Sequence, residues 1–220
     1  MQKALNKKIK LILIFCVLYI IPATLTYILT RRGLHLFLIW NLLLACIPLM
    51  AVIFINEFIN KSKIVTTFSL LIWLLFFPNA PYFVTDFIHI REIGLRPLID
   101  YPIAEWLALL NIAIGFILSI VVGMLSLFSL HKLIIKYKGK VLGCLFIGVV
   151  SFISGYAIYV GRFLRFNSWD MLKPISLVNN LIKDVSSFSI AFSILMGLFI
   201  SFIYCVFYVL FNNDEVLPKK

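Results

Sequence analysis

Charge is scarce in this chain. Asp, Glu, Lys and Arg make up 13% of its 220 residues, about half the roughly 25% usual for a soluble domain. Acid is scarcer than base, with 9 Asp and Glu against 20 Lys and Arg. So few charged residues exclude a soluble enzyme and a disordered chain. Cysteine is sparse as well. Cys16, Cys46, Cys144 and Cys205 all lie in apolar runs without C-x-x-C spacing. This excludes a disulfide-built secreted module and leaves them as small hydrophobes. The sequence also lacks a nucleophile elbow, a repeat between its halves, and a basic tract interleaved with stacking aromatics. The last absence excludes nucleic acid as a partner.

What the chain does contain is hydrophobic: 63% of residues, with a mean hydropathy of +1.07. An integral membrane protein is the reading, and the net charge of +11 becomes a signal of topology. Six stretches approach the about 20 apolar residues a membrane helix needs. They run from about Ile9 to Leu29, Leu34 to Ile55, Ile64 to Pro78, Trp106 to Leu130, Val141 to Val160 and Ser187 to Phe211. The first is too long for the apolar core of a cleaved signal and has no small-residue cleavage site. The expected fold is therefore all-α, a polytopic bundle of about six transmembrane helices forming one multi-pass domain over residues 1–220.

The basic residues orient it. With the N-terminus and C-terminus both cytoplasmic, 12 of the 14 Lys fall inside, and all six Arg (Arg31, Arg32, Arg91, Arg96, Arg162 and Arg165) fall outside. Lysine inside is an ordinary topology signal, whereas arginine outside opposes the rule. Arginine offers a planar, permanently charged fork suited to phosphate and carboxylate. The acids Asp86, Glu92, Asp100, Glu105, Asp170 and Asp184 fall on the same outer side. Salt bridges between outer loops and a polar site at the outer membrane face both account for this distribution.

Two segments concentrate the polar groups. The third span is broken at Pro78-Asn79-Ala80-Pro81, where the prolines remove backbone donors. Tyr82 and the apolar stretch from Phe83 to Ile90 follow, carrying Thr85, Asp86 and His89. Helical spacing puts these three on one face, and ionisable residues at membrane depth are functional candidates by default. His89 oriented by Asp86 is a candidate general base; a simple turn with a capping Asp86 is the plainer reading. The fifth span runs into Gly161-Arg162-Phe163-Leu164-Arg165-Phe166-Asn167-Ser168-Trp169-Asp170. Two arginine forks one helical turn apart at headgroup depth suit a phosphate, and the aromatics suit an interfacial belt. Between Met171 and Val185 the spacing predicts an amphipathic interfacial helix before the last span. Of the isolated polar residues, His35 lies beside Arg31-Arg32, and Asn41 and Asn111 are expected to bond between helices. His131 is expected to be solvated at an inner helix end.

FFPNAPYFVTDFIHI together with YVGRFLRFNSWD resembles an uncharacterised family of bacterial multi-pass membrane proteins, domain of unknown function 1361. The resemblance extends from the second span through the last. The matching positions are Pro78, Asn79, Ala80, Pro81, Tyr82, Thr85, Asp86 and His89 in the first motif. In the second they are Gly161, Arg162, Phe163, Arg165, Asn167, Ser168, Trp169 and Asp170. Where the family opens its fourth span with an aromatic and then an acid, this chain has Glu105-Trp106. The resemblance implies a membrane fold and a shared site, and brings no activity, cofactor or catalytic assignment with it.

Three functions fit. In the first, Arg162 and Arg165 hold the phosphate of a membrane lipid or lipid-linked envelope precursor in a bacterial plasma membrane. Asn79, Tyr82, Thr85, Asn167 and Asp170 then line the substrate, and His89 with Asp86 supplies any catalysis. In the second the chain is a transporter, for which two sets of three spans with broken helices are suggestive. In the third it is a structural or accessory subunit bound to another membrane protein. A metal site is not expected, because Asp86 and His89 are two candidate ligands where zinc needs three or four.

Overall fold

The computed structural model describes residues 2–91, 103–166 and 185–212. Every element among them is helical: α1 (Gln2–Leu18), α2 (Ile20–Thr30), α3 (Leu34–Phe58), α4 (Lys63–Phe76), α5 (Asn79–Tyr82), a 3₁₀ helix (Phe83–Arg91), α6 (Ile103–Lys138), α7 (Lys140–Phe163) and α8 (Ser187–Phe211). Six helical stretches are long and apolar enough to cross a membrane: Ile9–Thr30, Leu34–Phe58, Lys63–His89, Ile103–Lys138, Lys140–Phe163 and Ser187–Phe211. These correspond to the six stretches read from the sequence. The segment 167–184, with the expected interfacial helix, lies outside the described residues.

Proline explains where the helices are interrupted. Pro22 has no N–H to give to Leu18, so α1 and α2 are separated at Tyr19, although Tyr19 keeps right-handed dihedrals. At Pro78 the α-helix also gives way, yet the chain does not turn aside. Phe77, Pro78 and Phe83 all hold helical φ and ψ. Pro81 offers no donor to the Phe77 carbonyl, so the Ala80 N–H takes it instead, at 3.1 Å. That shorter loop is 3₁₀-like, and the following nine residues stay 3₁₀, well beyond the usual three or four. The two prolines therefore tighten the helical path at a point where the sequence alone suggests a stop. Asp86 is carried onward within the same apolar stretch.

The chain divides into two compact units, Met1–Gly123 and Met124–Lys220, with the boundary inside α6. In the first, α3 is the central element, packed against α2, α4 and α5. Its buried positions, including His35, Leu38, Asn41, Leu42, Ala45 and Leu49, recur every three to four residues, as one face of a helix requires. The N-terminal half of α6 closes on this unit through Gly115 and Gly123: a Cβ on Gly115 would lie 2.6 Å from the Phe83 ring, and one on Gly123 2.5 Å from the Ala80 Cβ. Ser119 completes the join by donating its hydroxyl to the Ala80 carbonyl at 2.9 Å.

In the second unit α7 and α8 pack along their length. Without a hydrophobic driving force between helices in lipid, small residues that permit close approach supply the attraction. Gly155 is such a point, since a Cβ there would fall 2.3 Å from the Ser193 carbonyl oxygen. At the other end of this unit His131 is buried rather than solvated. Its Nδ1 is paired with the Tyr204 hydroxyl, and Gly143 leaves space for the ring, 2.8 Å from where a Cβ would be. Gly155→Val is expected to lower stability by about 3 kcal/mol through overpacking, measured by thermal melting in detergent. Gly148→Ala, where a Cβ meets nothing within 4 Å, is expected to leave the melting point unchanged or raise it.

Candidate functional site

In the first unit the polar groups form a buried seam that draws on four elements. Arg32, just past the end of α2, makes a bidentate ion pair with Glu105 in the first turn of α6, at 2.7 and 2.9 Å. Its side chain is 32% exposed and that of Glu105 18%. The carboxylate raises the Arg32 pKa further above its ordinary value. In the first turn of α3, His35 Nδ1 lies 2.9 Å from the Asn111 carboxamide nitrogen. The Tyr19 hydroxyl donates to the Asn111 backbone carbonyl at 3.0 Å. Deeper along α3, the Asn41 carboxamide donates to Asp86 Oδ2 at 2.8 Å. Asp86 and His35 are both 0% exposed, and Asn111 is 2% exposed.

This seam contains Asp86, the acid marked by the motif, and gives it a partner from the second span. The other first-motif residues hold the broken helix together. Asn79 donates to the Phe76 carbonyl at 2.9 Å, a group whose helical donor, the Ala80 N–H, is turned to Phe77 instead. The Thr85 hydroxyl donates to the Tyr82 carbonyl at 2.8 Å. Tyr82 and His89 are half-buried. His89 sits one 3₁₀ turn beyond Asp86, so both lie on the same side of that helix. Tyr19 is the seam member that no sequence motif marks. His35, Asn41 and Asn111 carry only the general signal of a polar residue inside an apolar span. Among the described residues, no three His, Cys, Asp or Glu side chains are placed to share a metal ion.

The second unit carries the other candidate group. Arg162 lies in the last turn of α7, where a cation complements the partial negative charge of the helix end. Leu164 caps the helix and the Phe166 N–H reaches back to the Val160 carbonyl at 3.4 Å. Arg165 is exposed and adopts a left-handed conformation, φ 59°. Beside it is an aromatic cluster in which Phe163 stands edge-on to Phe188 and Phe192, both at 5.1 Å between ring centroids. Tyr159 stacks on Phe163 at 5.2 Å. Asn167 and Asp170, with Ser168 and Trp169, lie outside the described residues.

A feature common to both units was not legible in the sequence. Among the described residues only two non-glycine residues have positive φ, and both are arginines that follow a membrane helix: Arg31 at 57° after α2 and Arg165 at 59° after α7. Glycine is the usual occupant of such a position because it has no Cβ to strain.

The seam makes a direct prediction. Asn41→Leu leaves the buried carboxylate without this donor and is expected to destabilise the protein by about 2 to 3 kcal/mol. Asp86→Asn, which keeps the shape and a hydrogen-bonding partner for Asn41, is expected to cost less. Melting curves of both variants in one detergent check the order.

Comparison with known proteins gives one match: a family described as protein of unknown function (DUF1361), over residues 40–203. No curated protein and no solved structure matches. The matched region contains both motifs, three of the six membrane stretches in full and most of two more. This chain is a multi-pass membrane protein that belongs to the DUF1361 family.

Proposed function

We propose that this protein binds a phosphate-bearing lipid, or a lipid-linked envelope molecule, at the outer face of a bacterial plasma membrane, and grips it through arginines placed at the ends of its spans. The observation that carries this reading is the pair of left-handed arginines. A non-glycine residue in that conformation costs about 1 kcal/mol or more. Glycine would relieve the strain, so a charged, planar side chain held there against the strain points to a use for the side chain. Each of the two is exposed, and each has a second arginine close in sequence, Arg32 for Arg31 and Arg162 for Arg165.

Further support comes from depth and chemistry. Helix termini of transmembrane length fall in the headgroup layer, where lipid phosphates are. The Tyr159, Phe163, Phe188 and Phe192 rings beside Arg165 suit the aromatic belt of that layer. Guanidinium meets phosphate by short, charge-assisted, paired hydrogen bonds. With the N-terminus inside, both arginine pairs fall on the outer side, which accounts for arginine there against the positive-inside rule.

Substitution by glycine separates strain from binding. Arg31→Gly and Arg165→Gly are each expected to raise the melting temperature by a few degrees, the equivalent of about 1 kcal/mol. Both are also expected to lower the amount of anionic lipid retained through purification, counted by native mass spectrometry. Unchanged lipid retention in both glycine variants would contradict the proposal, whatever happens to stability.

A further inference from the structure

The His35–Asn111 pair leaves two buried polar atoms unused. One nitrogen of His35 meets the Asn111 carboxamide, and the remaining polar atoms of both side chains, His35 Nε2 and Asn111 Oδ1, are buried and have no partner among the described residues. A neutral imidazole carries one donor and one acceptor, and a carboxamide carries both kinds. If the Asn111 amino group donates to His35 Nδ1, the pair is left with an Nε2–H donor and an Oδ1 acceptor. If the carboxamide is turned over, the pair is left with an Nε2 acceptor and an amino donor. Either arrangement presents one unused donor and one unused acceptor, on two side chains already joined to each other. In a membrane, groups left unsatisfied in this way are expensive, because no bulk water reaches them. A hydroxyl group satisfies both at once, since it donates and accepts from a single oxygen.

We propose that His35 and Asn111 form a binding site for a hydroxyl group. Two sources share that chemistry: an internal water molecule, and an alcohol on a polar lipid headgroup. The second source rests on the lipid-binding reading above and sharpens it to lipids with hydroxyl-bearing headgroups. The pair lies one turn into α3 from Arg32 and fewer than two turns into α6 from Glu105. The part-exposed Arg32–Glu105 bridge thus stands at the polar end of the seam, and a headgroup seated by Arg31 would point its alcohols inward past that bridge. Glu105 is already paired, both of its oxygens accepting from Arg32.

The experiment compares two lipids of equal charge and equal headgroup carbon skeleton, phosphatidylglycerol and phosphatidylpropanol, which differ in the two headgroup hydroxyls. The full-length protein is exchanged into nanodiscs containing both, and bound lipid is counted by native mass spectrometry. In parallel, ¹³C,¹⁵N-histidine-labelled protein is examined by NMR for magnetisation transfer between water and the His35 Hδ2 and Hε1 protons, which flank Nε2 in either tautomer, with His35→Gln used to assign the signal. A preference for phosphatidylglycerol of about tenfold, the size of one or two net hydrogen bonds, that disappears in His35→Phe and in Asn111→Leu, is the expected result for a headgroup alcohol. Equal binding of the two lipids with a slowly exchanging water signal at His35 identifies the guest as water and equally supports a hydroxyl site. Equal binding with no bound-water signal overturns the proposal, and so does a lipid preference that both variants leave intact. These outcomes are independent of Arg31→Gly and Arg165→Gly: loss of anionic lipid in those variants together with an empty His35–Asn111 pair would leave the arginine reading standing alone.

Discussion

A carboxylate inside a membrane span must be held by the protein, and much of the first unit is arranged around that requirement. Asp86 is fully enclosed within a stretch apolar enough to cross the bilayer. Removing a charged or strongly polar group from water is costly unless hydrogen bonds replace the lost hydration. The Asn41 carboxamide supplies one such bond, which fixes the face that α3 presents to the 3₁₀ helix. That constraint also makes sense of the Pro78–Pro81 break. An α-helix continued through this point would advance by 1.5 Å per residue, whereas the tighter 3₁₀ path advances by about 2.0 Å. The depth and rotation of Asp86 relative to Asn41 thus depend on where the prolines place the change of pitch.

The rest of the seam follows the same logic with weaker groups. His35 and Asn111 bind each other, and Tyr19 binds the Asn111 main chain. Arg32 and Glu105 pair where the spans meet the more polar layer. Charge is thus graded along the seam, from a part-exposed ion pair at one end to amide, imidazole and a single carboxylate within. The glycines of α6 allow this, because Gly115 and Gly123 let the helix approach Phe83 and Ala80 closely. The second unit uses small residues similarly, at Gly155 between α7 and α8 and at Gly143 beside His131.

Four of the six helical stretches are legible in the sequence to within a few residues, as is the interruption at Pro78, whereas the third stretch continues to His89 and the fourth to Lys138. Spacing reveals neighbours on one helix, such as Asp86 and His89. The hydrogen bond observed at Asp86 Oδ2 comes from Asn41, 45 residues away, and spacing carries no information about such a contact. His131 shows the same limit. Its place near basic residues at a helix end suggested solvent, whereas Gly143 and Tyr204 enclose it. Glu105, one of several outer acids that charge alone leaves without an assigned partner, proves to be the acid that clamps Arg32.

The amino-acid sequence by itself determined that this is a helical membrane protein, how many stretches can span, and where they are interrupted. Those properties are local: hydropathy sums over about 20 neighbouring residues, and proline acts within one turn of its own position. The tertiary structure alone decided which polar residues pair, which of them are left with unused donors and acceptors, and that Arg31 and Arg165 adopt a left-handed backbone. Those depend on the depth and rotation at which separate helices meet, and that is fixed by close packing between residues distant in the chain.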